Sequence, residues 1–208
     1  MAKAKPSAPK PLQGSPEDIL AVYFRRNYPD IYRKVQLQVR RTPRRQTGKF
    51  KTNRESRWTL RPEHPDYTAA DQIPRIEAKL FAAALEFQNA PALPADVTAA
   101  ATTILGHPIQ QETHRCPVSG RLMNFRELLA EASQPKHGRS SFHVGHVRPK
   151  ARGGTNSPEN TYWTTDLGNR IQGDKTLAET MKTIITMAEF HRARENVAWG
   201  EVVNRYVD

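Results

Sequence analysis

The chain has 208 residues, a net charge of +11, 37% hydrophobic residues and 16 prolines. That length supports one buried core, while the low apolar share and many prolines predict a loop-rich chain. No apolar run is long enough to cross a bilayer as a helix, so no membrane partner is expected. The lone cysteine, Cys116, rules out an internal disulfide, and a reducing bacterial or phage-infected cytoplasm is the expected compartment.

The opening MAKAKPSAPKPLQGSP carries positive charge without an apolar segment and reads as a disordered basic arm over 1–16. Ser15-Pro16-Glu17-Asp18 then has a helix cap, a first-turn proline and acids at the positive helix end. Pro29 is expected to stop or kink this helix, with a short piece from Asp30 to about Val35. Val35-Gln-Leu-Gln-Val39 alternates with period two and predicts a strand. Between Arg33 and Arg61 stand eleven Lys or Arg against one acid, Glu55, which is nearly all of the surplus charge. Loops and a hairpin are expected from Arg40 to Ala70. A field this concentrated attracts polyanions, and the interleaved Gln and Thr side chains suit phosphates and base edges. Arg40, Arg41, Arg44, Arg45, Lys49 and Lys51 are therefore candidate DNA contacts, and 17–110 a helical, basic DNA-binding region.

Further along, Ile76, Leu80, Phe81, Ala84, Leu85 and Phe87 predict a helix over Ile73–Asn89. A helix from Pro94 to Gly106, a strand pair around Arg115–Phe125 and a loop through His137-Gly138 follow. Ser140–Val147 reads as a strand, Arg148–Glu159 as a glycine-rich connection, and Asn160–Thr164 as the returning strand. Thr165 or Asp166 then caps a helix bearing Asn169. Leu177–Ala193 and Val197–Tyr206 predict closing helices. Cys116 with His114, His137 and His143 lacks a zinc spacing, so structural zinc is not expected and Cys116 reads as a buried thiol. Trp163 reads as core.

The stretch GHVRPKARGGTNSPENTYWTTDLGNRIQGDK resembles the HNH (ββα-metal) nuclease motif through His146, Pro149, Gly153-Gly154, Glu159-Asn160, Asn169 and Lys175. The resemblance covers about 35 residues and implies an α+β fold, a mostly helical N-terminal part with a nuclease core in 111–208. It implies hydrolysis of double-stranded DNA, with His146 as general base, Asn160 orienting it and Asn169 holding one divalent ion, Mg²⁺ or Mn²⁺. Arg148, Lys150, Arg152, Arg170 and Lys175 would surround the phosphate. The departure is Gly145, where the family carries an acidic ligand. His143, two residues earlier and on the same strand face, is the candidate replacement, and imidazole widens the choice to other transition metals. Asp166 and Asp174 are rival ligands. The expected architecture is that of a restriction-type enzyme acting as a homodimer. A nonspecific HNH nuclease or toxin, and a catalytically inactive DNA-binding protein, are the alternatives.

Overall fold

The computed structural model describes residues 12–42, 45–47, 51–135 and 140–195, with the backbone alone at 45–47, 51–53 and 194–195. The fold is α+β. Helix α1 spans Pro16–Asn27, and Ser15 and Asp18 close a reciprocal capping box at its start. Leu12 N–H donates to the Asp96 carboxylate at 2.6 Å, so the chain is already tied down four residues before α1.

Helix α2 runs from Pro29 to Arg40 and takes in the whole Val35–Val39 segment, where a strand was expected. As expected, the previous helix stops at Asn27 just before Pro29, and Pro29 opens this one, which runs past Val35 to Arg40. The period-two pattern misleads because Ile31, Val35 and Val39 are buried at four-residue spacing, whereas Leu37 is 44% exposed. A four-residue apolar step is a helix stripe.

The expected hairpin is present as strands β1 (Arg45–Thr47) and β2 (Lys51–Asn53), paired antiparallel. Helix α3 (Gln72–Ala84) is followed by turns up to Asn89, and α4 (Ala95–Leu105) ends at Gly106 with φ 77°. The strand pair expected at Arg115–Phe125 reduces to one bridge, Arg115 to Leu122. Helix α5 (Phe125–Ser133) replaces its end, because the Asn124 carboxamide accepts from the Arg126 and Glu127 amides.

Strand β3 (Phe142–His146) pairs antiparallel with β4 (Thr161–Thr165), and α6 (Asp166–Gln172) follows directly, its Gly168 amide capped by the Thr165 hydroxyl. The succession strand, connection, strand, helix thus occurs within residues 142–172. Helix α7 (Leu177–Glu195) closes the described chain; the segments expected at Val197–Tyr206 and His137-Gly138 lie outside the described residues. None of the described helices is long and apolar enough to cross a membrane.

One apolar core joins these elements across residue 110. Phe24 stacks on Phe81 at 4.6 Å, and Phe87 lies 6.1 Å from Phe142 and 6.2 Å from Trp163. Trp163 is fully buried and its indole N–H donates to the Leu80 carbonyl of α3 at 2.8 Å. The hairpin therefore has two covered faces. Phe142, Val144 and Trp163 pack towards α3, while Thr164 and Tyr162 lie under α6, where Thr164 meets Cys116 and Tyr162 meets Gln172. Replacing Trp163 with Ala should cost about 3–5 kcal/mol, read as a lowered midpoint in urea unfolding; a loss under about 1 kcal/mol would contradict this packing.

Candidate functional site

His146 ends β3 opposite Thr161, on the strand face shared with Phe142 and Val144. Its Nε2 lies 3.0 Å from Oδ1 of Asn156, and Nδ2 of Asn156 donates to the Tyr67 carbonyl at 2.8 Å. Because that amide nitrogen is committed to a carbonyl, Oδ1 faces the imidazole as acceptor only. Nε2 therefore carries the proton, and Nδ1 keeps a lone pair. Burial, with the positive charges of Lys150 and Arg57, lowers the imidazole pKa from 6.5 to about 4 against the opposing pull of Asn156 and Asp66. At neutral pH His146 is a neutral acceptor.

The neighbouring charges meet at Asp66. Its Oδ1 lies 3.3 Å from Arg57 and 3.1 Å from Lys150. Arg57 also donates to the carbonyls of Arg41 and Gln38, at 3.0 and 3.3 Å. Burial lowers the Lys150 pKa to about 8, helped by Arg57 and resisted by Asp66. Arg57, His146 and Asn156 line a cavity of about 590 Å³ between α2 and the β3–β4 hairpin, together with Arg41, Arg54 and His143.

Asn160 does not touch the imidazole, contrary to expectation. Its Oδ1 accepts from the Arg148 amide at 2.8 Å, and its Nδ2 donates to the carbonyls of Arg148 and Thr155 at 3.0 and 2.7 Å. These bonds pinch the two ends of the 147–160 connection together and so set Asn156 beside His146. The connection needs both of its glycines. Gly153 has φ 78°, and a Cβ on Gly154 would lie 1.9 Å from the Arg148 carbonyl oxygen.

The expected cation ligands do not form a metal centre of the implied kind. A side chain at Gly145 would start 2.9 Å from the Tyr162 ring, so the acidic ligand's place is filled. Tyr162 donates to Gln172 Oε1 at 2.5 Å, and Gln172 donates to the His146 carbonyl at 2.7 Å. His143 Nε2 donates to the Ser140 carbonyl at 2.7 Å and faces Asp166 at 3.7 Å, which uses that nitrogen as a donor instead of a ligand. Asn169 lies exposed on α6, which packs over the opposite hairpin face from His146. No group of three or more His, Cys, Asp or Glu gathers among the described residues. The residues present do not fit the ion.

The expected DNA contacts divide. Arg40 is bound by Glu77 at 2.6 and 2.8 Å, and Lys150 by Asp66. Arg152 pairs with Glu179, and Arg170 with Asp166. Arg148 Nε donates to the Arg152 carbonyl. Arg41 lines the cavity, and Lys175 is exposed. Arg44 and Lys49, with the side chains of Arg45 and Lys51, lie outside the described residues. Cys116 is buried under Gly168; burial pushes its thiol up, but hydrogen bonds from Ser119, Thr164 and Thr165 outweigh that and leave it lowered to about 6.

Sequence reading missed Asn156, Arg57 and Asp66. Asn156 had a signal, its place two residues after Gly153-Gly154; Asp66 sits in an aperiodic loop and had none.

No protein family matches the chain, and no curated protein does. Among solved structures, a crystal structure of a type II restriction endonuclease is similar with a TM-score of 0.47 and 16% identity, over 61% of this chain and 55% of that one. The chain thus spans about half the length of that protein. A likeness of this size leaves function to be read from the site.

In an NMR titration the His146 imidazole should lose its proton at about 4, against 6.5 for the free side chain. The unfolded chain then binds more protons between these values, so stability falls as pH drops from about 6.5 towards 4. Lys150→Met should raise the His146 pKa, and an unchanged titration would contradict the charge arrangement. Gly145→Asp should destabilise the fold by about 1–3 kcal/mol through overlap with Tyr162, checked by chemical unfolding.

Proposed function

We propose that the chain is an HNH-type endonuclease that hydrolyses phosphodiester bonds of double-stranded DNA, with His146 Nδ1 as the general base. The observation that carries the reading is the Asn156 strut, which fixes the imidazole tautomer and leaves Nδ1 unprotonated beside a basic cavity. The run from His146 through Pro149 to Gly153-Gly154 supports the same class.

In this reading Nδ1 takes a proton from a water molecule as its oxygen bonds to phosphorus and the bond to the 3′ oxygen breaks, and the departing 3′ oxygen takes up a proton from solvent water. The products carry 5′-phosphate and 3′-hydroxyl ends. An anionic phosphate opposite His146 favours the imidazolium that forms, offsetting the depressed pKa of the resting site. Arg41 and Arg54 at the cavity face the DNA strand. Sequence-specific, restriction-type cutting by a homodimer completes the proposal.

The test is cleavage of supercoiled plasmid across a panel of divalent ions and in chelator. Discrete fragments support a sequence-specific enzyme, and a smear supports a nonspecific one. His146→Ala should lower the rate about 10²–10⁴-fold, and Asn156→Ala should lower it with the fold retained. A His146→Ala chain that cuts like the parent, or a parent that binds DNA without releasing new ends, would overturn the reading.

A further inference from the structure

His146 does not stand on a convex surface that a paired duplex could lie across. It is set into the wall of the cavity, and that cavity is built of two unlike parts. Its mouth carries the exposed guanidiniums of Arg41 and Arg54, and that of Arg33, which pairs with Asp30 at 3.3 Å. Its interior is apolar where Val39, Ile76 and Val144 converge from α2, α3 and β3. A volume of about 590 Å³ is within the range of small-ligand pockets. A phosphate needs only the cations. The apolar interior calls for a flat, poorly hydrated group carried next to the phosphate.

Gln38 adds a polar requirement. It lines the cavity, and its Nε2 donates to the Phe142 carbonyl at 3.1 Å, which fixes the amide orientation. Its Oε1 is buried and has no hydrogen-bond partner among the described residues. A buried acceptor left unpaired costs about 1–3 kcal/mol, and a ligand with an N–H or amino donor removes that cost.

Resting on the nucleic-acid reading above, we propose that this cavity accepts a single base swung out of the helical stack, one carrying an amino group, at the nucleotide beside the scissile phosphate. The phosphates on either side then lie against the arginines at the mouth, and the extruded nucleotide brings its own phosphate to Nδ1 of His146. Gln38 Oε1 accepts from the base. Unstacking costs a few kcal/mol and costs least where the base is already unpaired, so the proposal predicts a preference for duplexes with a mismatch.

The experiment uses the full chain and two duplexes that differ at one position: 2-aminopurine opposite thymine, and 2-aminopurine opposite cytosine. Binding is followed by anisotropy with the His146→Ala chain, so that no cutting intervenes, and 2-aminopurine emission reports unstacking. The mismatched duplex should bind about tenfold tighter, equivalent to about 1.4 kcal/mol, with a severalfold rise in emission. Ala132 also lines the cavity, and Ala132→Trp, which adds bulk there, should abolish both differences while leaving binding to the paired duplex intact. Equal affinity for the two duplexes with unchanged emission overturns the base pocket and leaves the nuclease reading standing. Failure to bind either duplex overturns the nucleic-acid reading itself. Should free deoxyadenosine monophosphate bind as tightly as the mismatched duplex, the cavity serves a small nucleotide, and extrusion is abandoned.

Discussion

The hydrogen-bonded chain from His146 through Asn156 to the Tyr67 carbonyl decides what the site can do. An imidazole offered a carboxamide that could turn over would exist as two tautomers, one of them useless at Nδ1. The Tyr67 carbonyl removes that freedom, since only the amide nitrogen can face it. This carbonyl lies 89 residues before Asn156 in the chain. A base on the hairpin is thus oriented from a loop that belongs to the basic N-terminal half. The same loop supplies Asp66, which holds Arg57 from one half and Lys150 from the other. The site is a seam between two stretches of sequence, and neither stretch contains it alone.

Charge behaves accordingly. The surplus between Arg33 and Arg61 looks like a uniform field, but the fold assigns its members different work. Arg40 is spent on Glu77, Lys34 on Glu131, and Arg57 on Asp66. Those three hold helices and loops together and are poor donors to a phosphate. Arg54 and Arg41 remain turned to the cavity. A count of basic residues therefore overstates the grip on a polyanion, because a buried pair has already neutralised its charge. The partial neutralisation has its own use. Burial keeps His146 unprotonated, and Arg57 and Lys150, each anchored on Asp66, add to that effect.

Much of this was legible wherever the signal was local. Helix α4 ends on Gly106, α1 begins on Ser15, and the β3–β4–α6 succession follows from alternation and a threonine cap, all set by neighbours within a few residues. The strand expected at Val35–Val39 failed for a reason equally local in form. Val35-Leu37-Val39 satisfies period two, and Ile31-Val35-Val39 satisfies the helical step; only packing against α3 and α5 decides that Leu37 faces out. Asn156 and Asn160 show the limit within the site. Both are asparagines of one connection, and composition ranks neither above the other as a partner of His146. What separates them is which carbonyls their amides meet, and Asn160 closes the connection on itself while Asn156 reaches across to Tyr67. Asp66 could not be found from pattern at all, since its role depends on contacts with residues 9 and 84 positions away.

Gly145 is the point at which a motif reading and a packing reading give different meanings to one residue. Set against the family pattern it is a ligand removed, and removal alone would leave a gap in the fold. The structure has no such gap. Tyr162 lies across the strand from Gly145, and its ring occupies the space that any side chain there would enter. Its hydroxyl binds Gln172, which in turn holds the carbonyl of His146. The backbone that carries the base is therefore anchored to α6 by a neutral hydrogen-bonded bridge between hairpin and helix. Such a bridge needs glycine on one strand, tyrosine on the other and glutamine on the helix at once, and exchanging any one of them undoes the other two. A glycine that is one part of a three-residue fit is a structural commitment. It fixes His146 in place by packing, and it leaves the charge for any chemistry at Nδ1 to Arg41 and Arg54 at the cavity.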